Sequence, residues 1–153
     1  MSPTLKKIPA LLLMLLLTGC GHTSSTQPYF EPPPPPEGKA LLYMMRTQVI
    51  QGSLYDSVFS INDSAVVGLS DKTYSWIQVS PGLHKVSAGQ SPHPKNVFLN
   101  LPIEAGKEYF VEYTQEYPVE KIRLRNAKDG KAMVKGYFYI PVPSTSTTTK
   151  LAN

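Results

Sequence analysis

The sequence predicts an all-β fold, a small antiparallel β-sandwich of about seven strands over residues 39–142. Three observations predict it. Apolar residues recur with period two in short stretches, turn residues interrupt those stretches about every ten residues, and only 17% of the 153 residues are charged. The segments around the domain read differently. Residues 1–19 have the layout of a cleaved signal peptide, 20–38 form a proline-rich linker, and 143–153 form a Ser/Thr-rich disordered tail. About one hundred residues suffice for one core of this kind.

Each element follows from its local pattern. Ala40–Arg46 is apolar on both faces, which suits a central strand buried on both sides. Val58–Asn62 and Ala65–Leu69 follow, closed and separated by turn residues at Asp63-Ser64. Thr73–Val79 is rich in β-branched and aromatic residues. Ser80-Pro81-Gly82 suits a type II turn, since proline presets φ at the second position and glycine takes positive φ at the third. Thr73–Ala88 therefore reads as a β-hairpin.

In Val97–Ile103, Val97, Leu99, Leu101 and Ile103 fall on one face. Pro102 cannot donate to a ladder, which places that strand at an edge. Beyond a turn at Ala105-Gly106-Lys107, Tyr109, Val111 and Tyr113 alternate with Phe110, Glu112 and Thr114. Ile122 and Leu124 then alternate with Lys121, Arg123 and Arg125, and a turn follows at Lys128-Asp129-Gly130. Tyr137–Ile140 is the last candidate strand; the stretch between Gly130 and Gly136 fits no single pattern.

The first twenty residues carry the most specific chemistry. Lys6 and Lys7 precede Ile8–Leu17, an apolar run of ten residues. As a helix it spans about 15 Å, short of the roughly 20 residues that cross a hydrocarbon core. It reads as a signal-peptide core and not as a transmembrane helix. Leu17-Thr18-Gly19-Cys20 resembles the bacterial lipobox, a branched apolar residue and two small residues before cysteine. The small residues admit an extended chain to a peptidase, and the thiolate is the nucleophile that takes up diacylglycerol. Cleavage between Gly19 and Cys20 frees an amine that can be acylated in turn. The expected partner is thus membrane lipid, bound through N-acylated, S-diacylglyceryl Cys20. Position +2 is Gly21 and not Asp, which by resemblance to enteric-type sorting favours the outer membrane, facing the periplasm.

The linker contains Pro32-Pro33-Pro34-Pro35-Pro36 between Glu31 and Glu37. Five prolines favour polyproline II, about 3.1 Å per residue. A spacer that lifts the domain off the lipid is the preferred reading over a ligand for a proline-binding module.

Charge and side-chain chemistry narrow the function classes. The chain has 15 Lys and Arg against 11 Asp and Glu; without Lys6 and Lys7 the balance is 13 to 11. Such a domain lacks the dense basic patch that nucleic acid requires. Cys20 is the only cysteine, so no internal disulfide can form. His22, His84 and His93 have no metal-ligand spacing, and no metal or other cofactor is expected. No serine sits in a nucleophile elbow, so no catalytic set and no enzyme are expected. Glu104, Glu108, Glu112, Glu116 and Glu120 recur every four residues and read as a solvated strand face. Asn62-Asp63-Ser64 matches a glycosylation sequon, but three-residue matches are common and the lipobox resemblance implies a bacterial host, so it is discounted. Tyr74, Trp76, Tyr109, Tyr113, Tyr117, Tyr137 and Tyr139 form a large aromatic set, read as core and cross-strand pairs, with an interface or sugar-binding face as the alternative.

Three motifs carry a family resemblance: Tyr43-x-x-Arg46, Pro81-Gly82-Leu83-His84 and Gly106-Lys107-Glu108-Tyr109-Phe110-Val111. With them, Leu41–Val111 resembles the domain-of-unknown-function 2846 family of bacterial lipoproteins, and its layout is similar to PEGA-type small sandwiches. The resemblance implies a fold and brings no catalytic residues. The expected function is that of a membrane-tethered cell-envelope lipoprotein, a non-enzymatic binding or structural module whose partner is an envelope protein or peptidoglycan. The alternatives are an accessory lipoprotein of a secretion or surface-assembly system, and a periplasmic hydrolase inhibitor presenting the loop Gly89–Asn96.

Overall fold

The computed structural model describes residues 28–47, 55–90, 97–116 and 119–143. Among them, nine strands form two packed sheets. The first has five strands: β1 (Ala40–Arg46) at its centre, β4 (Thr73–Val79) and β9 (Phe138–Tyr139) to one side, β7 (Glu108–Glu116) and β8 (Val119–Arg125) to the other. The second has four, in the order β3 (Ser64–Leu69), β2 (Ser57–Ile61), β5 (Gly82–Gln90), β6 (Val97–Ile103).

The all-β sandwich is as predicted, and β1 is the central strand that its two apolar faces require. Leu42 and Met44 point inward to the second sheet, while Leu41, Tyr43 and Met45 point outward; all five are buried. The inner core adds Phe59, Leu69, Val86, Leu101, Val111 and others from both sheets. β6 is an edge strand, as Pro102 demands, with Leu101 and Ile103 buried and Asn100 and Pro102 exposed.

Three expectations are corrected. The first sheet is mixed and not antiparallel, since β1 pairs β7 in parallel (Met44 opposite Val111) and β4 pairs β9 in parallel. Thr73–Ala88 is not a hairpin. β4 pairs with β1 and β5 with β2 and β6, so Ser80-Pro81 carries the chain from one sheet to the other. Gly82 explains this: its φ of 137° lies beyond the roughly 80° of a type II turn, in space that side chains rarely enter, and it begins β5. A tight hairpin instead joins β2 to β3 through Asn62 and Asp63, with φ of 48° and 66°, the double positive φ of a type I′ turn.

The third correction is a helix, α1 (Ala127–Lys135), where a turn is expected at Lys128-Asp129-Gly130. Asn126 is its N-cap, accepting from the Asp129 backbone N–H at 2.9 Å; Asp129 lies in the first turn and Lys135 in the last, matching the helix dipole. Gly130 is there for packing and not for a turn. A Cβ on it would lie 2.3 Å from Phe110 Cγ, so only glycine lets the helix approach β7 this closely. Val134 and Met133 complete the contact with the outer face of the five-stranded sheet.

Candidate functional surface

The outer face of the five-stranded sheet gathers most of the polar and aromatic chemistry, because β1, β4, β7 and β8 all direct alternate residues there. At the β7–β8 side stands Glu112, only 1% exposed. Arg123 lies directly opposite on β8 and Arg125 diagonally, and each Nε donates to Glu112 Oε2 at 2.6 Å. Thr47 donates its hydroxyl to Oε1, and Tyr137 donates to the Thr47 hydroxyl at 3.4 Å. Burial pushes the Glu112 carboxyl up, but hydrogen bonds from Arg125, Arg123 and Thr47 outweigh it and hold the group below the usual carboxylate range. The expectation of a solvated glutamate face therefore fails at Glu112, because the arginines of β8 reach over it. Glu108 shares that face and pairs with Lys131 of α1, while accepting from the Tyr43 hydroxyl at 3.2 Å. Glu104 lies in the turn before β7, 2.7 Å from Lys107.

At the β4–β9 side, Tyr74, Trp76 and Tyr139 form an aromatic platform. The chain before β1 lies across it. Phe30 stacks on Trp76 (centroids 6.4 Å apart, 10° between planes) and meets Tyr139 at 5.6 Å, while Tyr29 stacks on Tyr74 at 6.1 Å. The Tyr74 hydroxyl accepts from the Phe30 backbone N–H and donates to the Phe30 carbonyl, both at 2.9 Å. Burial pushes that hydroxyl up to about 12. Pro32 is buried, and Lys39 closes the segment at the far end of the sheet, its carbonyl accepting from Gly106 N–H at 2.8 Å. Residues 29–39 thus form a strap down the sheet, where the sequence suggests a free spacer. The signal that could reveal it is Tyr29-Phe30 immediately before the proline run: aromatic residues bury large areas, and polyproline II seats readily on aromatic faces.

Arg46, fully buried, points inward at the other end of β1. Its Nε sits 3.0 Å from Asp71 Oδ1, and Nη1 donates to the carbonyls of Tyr55 and Leu69, which ties β1 to the ends of the second sheet. Tyr43 stacks on Phe110 at 4.4 Å. Both ends of the Tyr43-x-x-Arg46 motif are therefore structural. So is His84: with the proton on Nε2 it donates to the Ser80 carbonyl at 2.9 Å, and Nδ1 accepts from Asn62 Nδ2 at 3.1 Å. Asn62 also accepts from Lys85 N–H, so the sequon asparagine serves as a clasp between the β2–β3 turn and β5.

Gly19 and Cys20 lie outside the described residues, as do His22, His93, Tyr117 and the tail 144–153. Of the loop Gly89–Asn96, Gly89 and Gln90 belong to β5 and the rest lies outside the described residues. Among the described residues, no group of three or more His, Cys, Asp or Glu is placed to hold a metal ion, and no helix is long and apolar enough to cross a membrane.

No curated protein and no solved structure matches the chain. A family of proteins of unknown function (DUF2846) matches residues 36–125, which run from the end of the strap through β8 and leave Tyr29, Phe30, α1 and β9 outside. That span takes in more than half of the sequence and all three of the motifs Tyr43-x-x-Arg46, Pro81-Gly82-Leu83-His84 and Gly106–Val111, and the chain belongs to the DUF2846 family.

Proposed function

We propose that the chain is a membrane-tethered cell-envelope lipoprotein whose domain acts as a non-enzymatic binding or structural module. The observation that carries this reading is Leu17-Thr18-Gly19-Cys20 behind a ten-residue apolar run, with the single cysteine at the cleavage position. Buried acyl chain contributes about 0.8 kcal/mol per methylene, and stable anchoring takes two chains or more. Diacylglycerol on the Cys20 sulfur meets that requirement, and an N-acyl chain adds to it. Gly21 favours the outer membrane.

The non-enzymatic part is supported by how the ionisable clusters are used. The Glu112 carboxylate accepts from two arginines and a threonine, Glu108 from Lys131 and Tyr43, and both His84 ring nitrogens are engaged. Each group holds one segment of the fold against another. The partner is an envelope protein or a glycan such as peptidoglycan.

The test is a Cys20→Ser variant expressed in a bacterium beside the parent chain. The parent incorporates radiolabelled palmitate and sediments with membranes; the variant loses the label and becomes soluble. A variant that stays membrane-bound overturns the anchoring reading.

A further inference from the structure

The strap decides which end of the sandwich the tether leaves from. At one end lie Asn62-Asp63, Ser80-Pro81, 104–107, and Lys39 against Gly106. At the other end lie Arg46, Ser57, Leu69, Thr73, Gln90, Val97 and Val119, the first or last residues of their strands. The strap runs from Tyr29 and Phe30, clamped to Tyr74 one residue inside this second end, to Lys39 at the first. The described chain therefore begins at the Arg46 end, although β1 itself begins at the opposite one.

Chain length turns this into a constraint. Eight Cα steps separate Cys20 from Pro28, at most about 28 Å of extended chain. Without the strap, twenty steps would separate Cys20 from Ala40, about 70 Å. A nine-residue strand such as β5 is itself about 30 Å long. The strap thus shortens the tether to less than the length of the domain and attaches it at one end. Exposed apolar side chains follow the same asymmetry. Phe30, Tyr55, Phe98, Val119 and Phe138 lie on strand starts or flanks at or near the Arg46 end, Leu124 lies between the ends, opposite Val111, and Leu83 lies at the other end. Aromatic side chains with an apolar body suit the membrane–water boundary.

We infer that the Arg46 end of the sandwich is a membrane-facing surface, held against the lipid headgroups by the short tether and its exposed aromatic side chains, with the end where Lys39 meets Gly106 presented away from the bilayer. This inference rests on lipidation at Cys20.

The experiment uses the full exported chain, purified in its acylated form and reconstituted in vesicles of phosphatidylethanolamine and phosphatidylglycerol. A cysteine is introduced at Val119→Cys, at Tyr55→Cys, or at Ala105→Cys in the exposed 104–107 turn; the Cys20 sulfur is blocked by its thioether, so each new thiol labels uniquely with an environment-sensitive fluorophore. Spin label on the lipid headgroups quenches at short range. Quenching several-fold stronger at positions 119 and 55 than at 105, with position 105 no different from vesicles lacking spin label, supports the inference. Equal quenching at all three, or stronger quenching at 105, overturns it. Mass of the N-terminal peptide separates the two levels: an unmodified Cys20 removes the lipidation reading and the orientation with it, whereas an acylated chain with equal quenching removes the orientation alone.

Discussion

The two faces of the five-stranded sheet are built from the same strands by different means. The inner face presents Leu42, Met44, Val79 and Val111 to Phe59, Val86 and Leu101 of the second sheet. Each of these residues lies on a strand, and its place follows from period two. The outer face presents Leu41, Tyr43, Met45, Tyr74 and Phe110 to a helix and a strap. Its closure depends on single groups: the missing Cβ of Gly130, the hydroxyl of Tyr74, the carboxylate of Glu112. A face built by pattern distributes its stabilisation over many methylenes, while a face built from individual groups concentrates it in a few bonds, each removable by one substitution.

The sharpest test of that contrast is on the inner face. Phe59→Ala should cost about 3–5 kcal/mol, since it opens a cavity between two sheets that cannot close around it. Urea unfolding of the mature domain measures this, and a cost below about 1 kcal/mol would place Phe59 outside the core. Glu112→Gln comes next, at about 2–3 kcal/mol, through lost charge-assisted bonds. The same variant tests the pH profile. A carboxyl held below its ordinary value contributes stability that is complete above pH 4.5 and is lost as the pH falls through the lowered native value. Acid unfolding of the parent should therefore be steeper than that of Glu112→Gln; identical slopes would remove Glu112 from the account.

Smaller effects are expected where a covering segment can shift. Gly130→Ala should cost about 1–2 kcal/mol, since displacing Phe110 costs more than the roughly 1 kcal/mol that alanine returns to a helix. Thermal unfolding reads this, and a more stable variant would show that the helix stands farther from β7. Tyr74→Phe should cost about 1 kcal/mol and act locally, releasing the strap. Faster hydrogen exchange at the Phe30 amide, with core amides little changed, is the expected signature. Tyr74 also has an alkaline one: with its hydroxyl raised to about 12, native stability declines as the pH climbs past 10 and the unfolded tyrosine ionises first. That decline should be shallower in Tyr74→Phe.

Much of the sandwich was legible before its structure. Ala40–Arg46 and Thr73–Val79 have the predicted bounds, and the edge position of β6 follows from Pro102. The errors share a cause. Gly130 and Gly82 look like turn glycines on local grounds, yet one makes room for Phe110 and the other starts a strand in the second sheet. Glu112 looks solvated in the sequence because its partners lie on another strand, 11 and 13 residues away. The capping pair Asn126 and Asp129 did mark the helix start, and that signal was available in the sequence.

The sequence by itself determined which segments become strands, which residues of each face the interior, and where the lipobox-like motif Leu17-Thr18-Gly19-Cys20 lies. Those features are local: periodicity, turn residues and the spacing of a short motif express the preferences of neighbouring residues. Only the tertiary structure decided that β1 and β7 run parallel, that β4 and β5 part into different sheets, and that Tyr29 and Phe30 fold back on Tyr74 and Trp76. The parallel pair joins residues 67 positions apart and the strap joins Phe30 to Tyr74, 44 positions apart, and no local preference encodes which distant surface a segment will meet. The strap is decided at that level too, since a segment that reads as free length along the chain is, once folded, held along the outer face of the five-stranded sheet.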